Sequence, residues 1–340
     1  MFKHNMRKTF LGLLGVVLAL APVSAGAADS VGFSLDWVVN GTHSGYFVAK
    51  EKGYYSAAGL DVTISRGFGS GDTIKRVGAG SALIGLADTG AIIASRANAD
   101  IPVRIVAMIY DRATLGLIYL SQSGIKKPKD LEGRAIGRSA SGASVNMFPA
   151  FLKANGIDRS KIREVVVDGA TFLPLLMSGQ VDAVLEQSIN IGKFQRAAAQ
   201  QGKTAVGMRY SDFGLEAYGN ALIVQTSTLK DKPDVVRRFV EASLKGIAYA
   251  FDHPDEAIAM LRKNNPEVSA DSAGDELKAL KEMQSTPEIR SKGLGQIDRK
   301  RMETTRDNIT PALDLKRTVP VEEIYATGFL PATAIVPAGK

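Results

Sequence analysis

Apolar runs of strand length alternate with amphipathic stretches of helix length along most of this chain. Runs at 31–35, 61–65, 82–87, 103–110, 115–120, 134–137, 164–167, 183–186 and 221–225 read as strands. Between them, 45–58, 72–79, 91–97, 144–155, 171–178 and 189–201 carry apolar residues at helical spacing. From residue 233 onward the pattern is helical and charged. Such alternation predicts an α/β fold with mainly parallel sheets. A weak internal echo runs through it. RVGAGSALIGLADTGAI (76–92) and LLMSGQVDAVLEQSINI (175–191) share one plan: a helix end, a glycine, a buried strand, then a polar loop opening a helix. Gly80 and Gly179 align as helix-stopping glycines, and Asp88 and Glu186 fall at nearly equivalent strand ends. The echo predicts two lobes built alike.

The first 27 residues break this pattern. Lys3, Arg7 and Lys8 precede an apolar run from Phe10 to Leu20, and Ala25-Gly26-Ala27 follows as a small-residue cleavage site. That is the plan of a secretory signal, with an apolar run short for a membrane span. With no Cys in the chain, neither a lipid-anchored cysteine nor a disulfide is available. The expected product is free in the periplasm and monomeric. The formal net charge is +7, and the leader carries three of those charges, leaving about +4. A balance that mild does not point to nucleic acid. The segment at 290–301 has five basic residues and one acid and reads as a solvated surface.

In open α/β sheets, ligands bind beyond the carboxyl ends of the strands. The first such loop holds the sole Trp (Trp37) with Asp36, Asn40 and His43. An indole, an amide and an imidazole together suit a small, flat, polar molecule. The other strand ends add Ser70, Asp88 and Thr89, then Ser139, Ser141 and Ser144, then Asp168, Glu186 and Gln187, with Glu216, Tyr218 and Asn220 near a later break. Each has a blander reading. Trp37 could pack in a core, His43 could cap the helix at 45–58, and Asp36 could hold its own loop together. The SASGAS stretch (139–144) either caps its helix or offers hydroxyls and N–H groups to an anion. Glu186 and Asp88 could meet a ligand amine or a neighbouring Arg. His253 is the only other histidine outside the leader, which disfavours a zinc site, and no cofactor is expected. GFGSGD (67–72) lacks the spacing of a phosphate-binding loop.

LDW at 35–37, Asn40, His43, AKEKGYYSAAGLDV (49–62) and VDAVLEQ (181–187) resemble the NMT1/THI5-like family. That family includes solute receptors of ABC importers and the fungal thiamine-pyrimidine synthase. The resemblance implies a type II periplasmic-binding-protein fold, with a ligand cleft between two α/β lobes joined by two hinge crossovers. Breaks at 111–114 and 214–220 then place residues 28–112 and 218–340 in one discontinuous lobe and 113–217 in the other. It also implies a small-molecule solute and an inner-membrane ABC permease as partners. Family solutes include pyrimidine precursors, riboflavin, sulfonates, taurine and nitrate-like anions. The LDW-x-x-N-x-x-H form is more similar to the pyrimidine and flavin receptors. The synthase branch consumes a histidine, matched here by His43. It also carries a cysteine-rich motif, where this chain reads GLEAYGNAL at 214–222. Trp37 is therefore expected to stack on a ring and Glu186 to meet its amine edge, with the anion receptor and the synthase as alternatives.

Overall fold

Strand-length apolar runs become ten strands in the computed structural model, which describes residues 1–2 and 27–338. The expected secretory leader lies almost wholly outside the described residues. The strands are β1 Asp29–Ser34, β2 Leu60–Ser65, β3 Ile84–Asp88, β4 Val103–Met108, β5 Gly116–Leu120, β6 Ala135–Arg138, β7 Arg163–Val166, β8 Ala183–Val184, β9 Ala205–Arg209 and β10 Asn220–Gln225. They form two five-stranded sheets, in the orders β2-β1-β3-β10-β4 and β7-β6-β8-β5-β9. Strands without polar alternation sit at the centres: β3 and β5 are buried throughout, and β10 in all but its last residue.

The echo in the sequence is a topological identity. Each sheet has four strands running one way and a single antiparallel one, β10 between β3 and β4, and β5 between β8 and β9. The chain passes from the first sheet to the second after β4 and returns before β10. The antiparallel strand of each sheet is the one that arrives from the other. Gly80 and Gly179 have φ of 75° and 74°. In both places the chain leaves a helix through a left-handed turn, where a side chain would be strained. The sheets are mixed rather than mainly parallel, because each borrows a strand in reverse.

The sequence reading missed β9. Its residues alternate in burial around Gly207, and it pairs only with β5 at a sheet edge, so it lacks the continuous apolar run of a buried strand. The segment at 290–301 is also less solvated than its charge suggests. Leu294 and Gly295 are buried, Gly295 bridges to Met108, and Arg301 Nη1 meets Asp111 Oδ1 at 2.6 Å while stacking over Tyr218. Among the described residues, no helix is long and apolar enough to cross a membrane.

This topology puts the carboxyl ends of the parallel strands at one edge of each sheet, and the two edges face each other. Ser141 Oγ donates to Phe68 O at 3.0 Å, and Gly71 N–H donates to Ser141 O at 3.1 Å. Gly69 makes that approach possible: its φ is 122°, and a Cβ there would collide with the Ser141 carbonyl. The helix Ile191–Ala199 docks on the helix Ala270–Gln284, where Arg196 pairs with Asp275 and donates to Ser272 Oγ.

Candidate functional site

The loop after β1 is built around a carboxylate. Asp36 is buried, and both its oxygens are engaged: Oδ1 lies 2.9 Å from His43 Nε2, and Oδ2 accepts from Asn220 Nδ2 at 2.6 Å. Asn40 N–H donates to His43 Nδ1 at 3.2 Å. Since Nδ1 accepts, the imidazole proton sits on Nε2 and points at Asp36. Asn40 Oδ1 accepts from Thr42 N–H and Thr42 Oγ1, capping the short turn Gly41–His43. His43 and Asn40 thus shape and hold the Asp36 loop. Tyr46 points into the core, edge-on to Phe33.

Trp37 leaves this loop and reaches across to the other sheet. Its ring is only 8% exposed, sits 6.1 Å from the Phe172 ring, and packs over Gly142 and Gly169. It borders a cavity of about 10 Å³ between the two sets of loops. Asp36, Trp37 and Ser70 line it from one side; Gly142, Ala143, Ser144 and the segment 185–187 line it from the other. That volume suits about one water, so a heterocycle enters only when the loops part.

Four of the residues expected at the site meet here: Trp37, Ser70, Ser144 and Glu186. The other six do not line this cavity. Asn40 and His43 stand behind it. Thr89 Oγ1 donates to Gly219 O at 2.6 Å and ties the helix Thr89–Ala99 to the return crossover. Ser139 Oγ accepts from Gly142 N–H at 2.8 Å, and Ser141 joins the facing loops. Tyr218 lies beneath Arg301, and its hydroxyl accepts from Asp298 N–H at 3.1 Å.

The walls differ in chemistry. Gly142, Ala143 and Ser144 open the helix Ala143–Ala154, whose first N–H groups have no partners within the helix. Opposite, Glu186 Oε1 accepts from Gln187 N–H and Asn190 Nδ2, while Oε2 is buried with no hydrogen bond. Asn190 Oδ1 and Asp88 Oδ2 are likewise buried and unpartnered. All three of these atoms are side-chain oxygens. The surroundings are also acidic, with Asp36, Asp88, Glu186 and Glu276 all buried. Burial pushes the Asp88 carboxyl from its ordinary 3.8 up to about 7. It also raises Glu276, opposed by the Lys193 ammonium and by the Gly41 N–H that Glu276 Oε2 accepts at 2.8 Å. None of the cavity-lining residues is Lys or Arg. No group of acids and histidines that could hold a metal occurs among the described residues.

Lys193 and Glu276 went unrecognised in the sequence. Both lie in helical patterns whose charged positions read as solvent-facing, and no local signal brings them to Glu186.

Comparison with known proteins agrees with this architecture. The family model described as NMT1/THI5 like matches residues 40–257. The formylaminopyrimidine-binding protein of Halalkalibacterium halodurans is 26% identical, over 76% of this chain and 79% of that protein. The riboflavin-binding protein RibY of Chloroflexus aurantiacus is also 26% identical, over 92% of this chain and 89% of its own. Among solved structures, the alkanesulfonate-binding protein SsuA from Xanthomonas axonopodis pv. citri bound to MOPS superimposes with a TM-score of 0.66. It has 14% identity and covers 89% of this chain and 99% of that one. The two mixed sheets with facing strand ends are the periplasmic-binding-protein fold, and the chain belongs to the NMT1/THI5-like family.

Proposed function

We propose that this protein is the solute receptor of an ABC importer. It is secreted to the periplasm, where lobes 28–112 with 218–340 and 113–217 close on a small flat heterocycle bearing an exocyclic amine. A thiamine-pyrimidine precursor or a flavin-like solute fits this description. The solute is then handed to an inner-membrane permease. The observation that carries the reading is Glu186, which lines the cavity and keeps one carboxylate oxygen, Oε2, buried with no hydrogen bond. A buried acceptor without a donor costs roughly 1–3 kcal/mol, which a ligand N–H recovers. The facing N–H groups of Ala143 and Ser144, in the first turn of their helix, complement a ring nitrogen or carbonyl, so the site offers both hydrogen-bonding senses to one planar molecule. Trp37 supplies the apolar face. The relatives that bind formylaminopyrimidine and riboflavin support the same solute class.

A sulfonate, taurine or nitrate-like anion is the weaker reading, since the cavity-lining residues include Asp36 and Glu186 but no Lys or Arg, and the nearby Lys193 ammonium is paired with Glu186. A synthase is weaker still. The histidine that a synthase would consume is engaged on both nitrogens, by Asp36 and by Asn40 N–H.

Trp37 is the sole tryptophan, so its emission reports on the cleft directly. Titration with an aminopyrimidine, riboflavin and taurine should give saturable changes with one of the first two and none with taurine. Glu186→Gln should weaken that binding about 10- to 100-fold, the worth of a hydrogen bond to a charged group. Tight taurine binding with no response to either ring compound would sink the proposal.

A further inference from the structure

We propose that Lys193 sets the charge this site accepts: its single ammonium is shared by two buried carboxylates, Glu186 and Glu276, presented from the two sides of the cleft. This rests on the amine-solute reading above.

Lys193 sits on the helix Ile191–Ala199, and its Nζ lies 3.8 Å from Glu186 Oε2. That oxygen is the one without a hydrogen bond, so the pair is a charge contact only. Glu276 faces it from the helix Ala270–Gln284 and is 2% exposed. Lys193 is the strongest influence holding the Glu276 pKa down against burial, while Glu186 pushes it up. The Lys193 charge therefore touches Glu186 directly and acts on Glu276 through space, offsetting the repulsion between the two acids.

Its neighbours fix it there. Gly192 packs so closely on Asp275 that a Cβ would come 2.7 Å from the carboxylate, and Arg196 pairs with the same Asp275. Beyond these three groups, Asp36 is bonded to His43 and Asn220, Asp275 is paired with Arg196, and Asp88 caps the helix Thr89–Ala99. Two carboxylates and one ammonium leave one negative charge in a poorly solvated place. A solute with one cationic or strongly donating amine meets it. Without Lys193 there would be two such charges. A cation would then gain, a neutral ring would gain nothing, and closure would bring like charges together.

The test compares two probes on the intact protein by Trp37 emission: 4-amino-2-methylpyrimidine, at a pH where it is neutral, and its N-methylated cation. Lys193→Met should raise affinity for the cation relative to the neutral ring by about tenfold or more, or roughly 1.4 kcal/mol. Lys193→Arg, which keeps the charge, should preserve the wild-type ratio. Lys193→Gln serves as the second neutral variant, with circular dichroism reporting that each variant is folded. An equal loss for both probes would mean Lys193 only supports the fold, and an unchanged ratio would also overturn the proposal. Wild-type protein that binds neither probe would overturn the amine reading itself, and this inference with it.

Discussion

Asp88 shows how one side chain couples the site to pH. It ends β3 and caps the helix Thr89–Ala99 through Oδ1, which accepts from Ala91 N–H at 3.1 Å, while Oδ2 is buried without a partner. Burial dominates over these stabilising N–H groups and lifts its pKa from 3.8 to about 7. The native state therefore holds a proton that the unfolded chain releases near pH 4. Between those values the native state binds more protons, so stability falls as pH rises from about 4 to 7 and levels off above. Glu276, raised by the same cause, acts in the same direction. Urea midpoints measured across this range should decline with pH. Asp88→Asn, which keeps the capping oxygen, should flatten much of that slope. An unchanged slope in the variant would assign the pH dependence elsewhere.

Among elements, the helix Ser44–Glu51 carries the most consequence, because it continues directly from the loop that holds Asp36 and Trp37. It crosses the helix Pro233–Asp252 where two glycines meet. A Cβ on Gly45 would come 2.6 Å from Ile247 Cγ1, and one on Gly246 would come 2.8 Å from Ala49 Cβ and 2.9 Å from Ala49 N. In an exposed helix, Gly→Ala stabilises by about 0.5–1 kcal/mol. Here overpacking costs about 1–3 kcal/mol and wins, because the obstacle is largely backbone. Gly246→Ala should lower the unfolding free energy by that net amount, read as a lower urea midpoint, and shift Trp37 emission, as the helix and its loop are displaced together. A stabilised Gly246→Ala protein would show that the helices can part without consequence.

At the scale of the whole molecule, closure is set by what crosses the cleft. The exposed pair Arg66–Asp168, at 3.5 Å, contributes little. Trp37 contributes more, since its indole is buried against Phe172, Gly142 and Gly169 from the other sheet. Gly169 has no positive φ, so alanine is acceptable to its backbone; yet its Cβ would come 2.8 Å from Trp37 Cη2 and 3.0 Å from Cε2. Gly169→Ala should leave both sheets folded but disfavour the closed form. The expected signs are a larger radius of gyration in X-ray scattering, red-shifted Trp37 emission and about tenfold weaker solute binding. A variant that scatters like the wild type and binds as well would show that the indole does not govern closure.

The alternation of apolar runs was enough to determine the α/β class, the buried central strands and the two left-handed turns at Gly80 and Gly179, because these follow from short-range periodicity and backbone sterics. Strand ends also suggested ten site residues, since the ends of parallel strands must gather at one edge of a sheet; of these, Trp37, Ser70, Ser144 and Glu186 border one cavity. Tertiary structure decided what each polar group does. His43 and Asn40 have the residue types of ligand contacts, but the turn they build engages both ring nitrogens of His43 and the Oδ1 of Asn40. β9 became a strand only because β5 was there to pair with it. Glu276, whose partner Gly41 lies 235 residues away, entered the site through the packing of a distant helix. Hydrogen bonds and charge pairs act over a few ångströms in space with no regular period along the chain, so their partners are fixed only once the fold has brought them together.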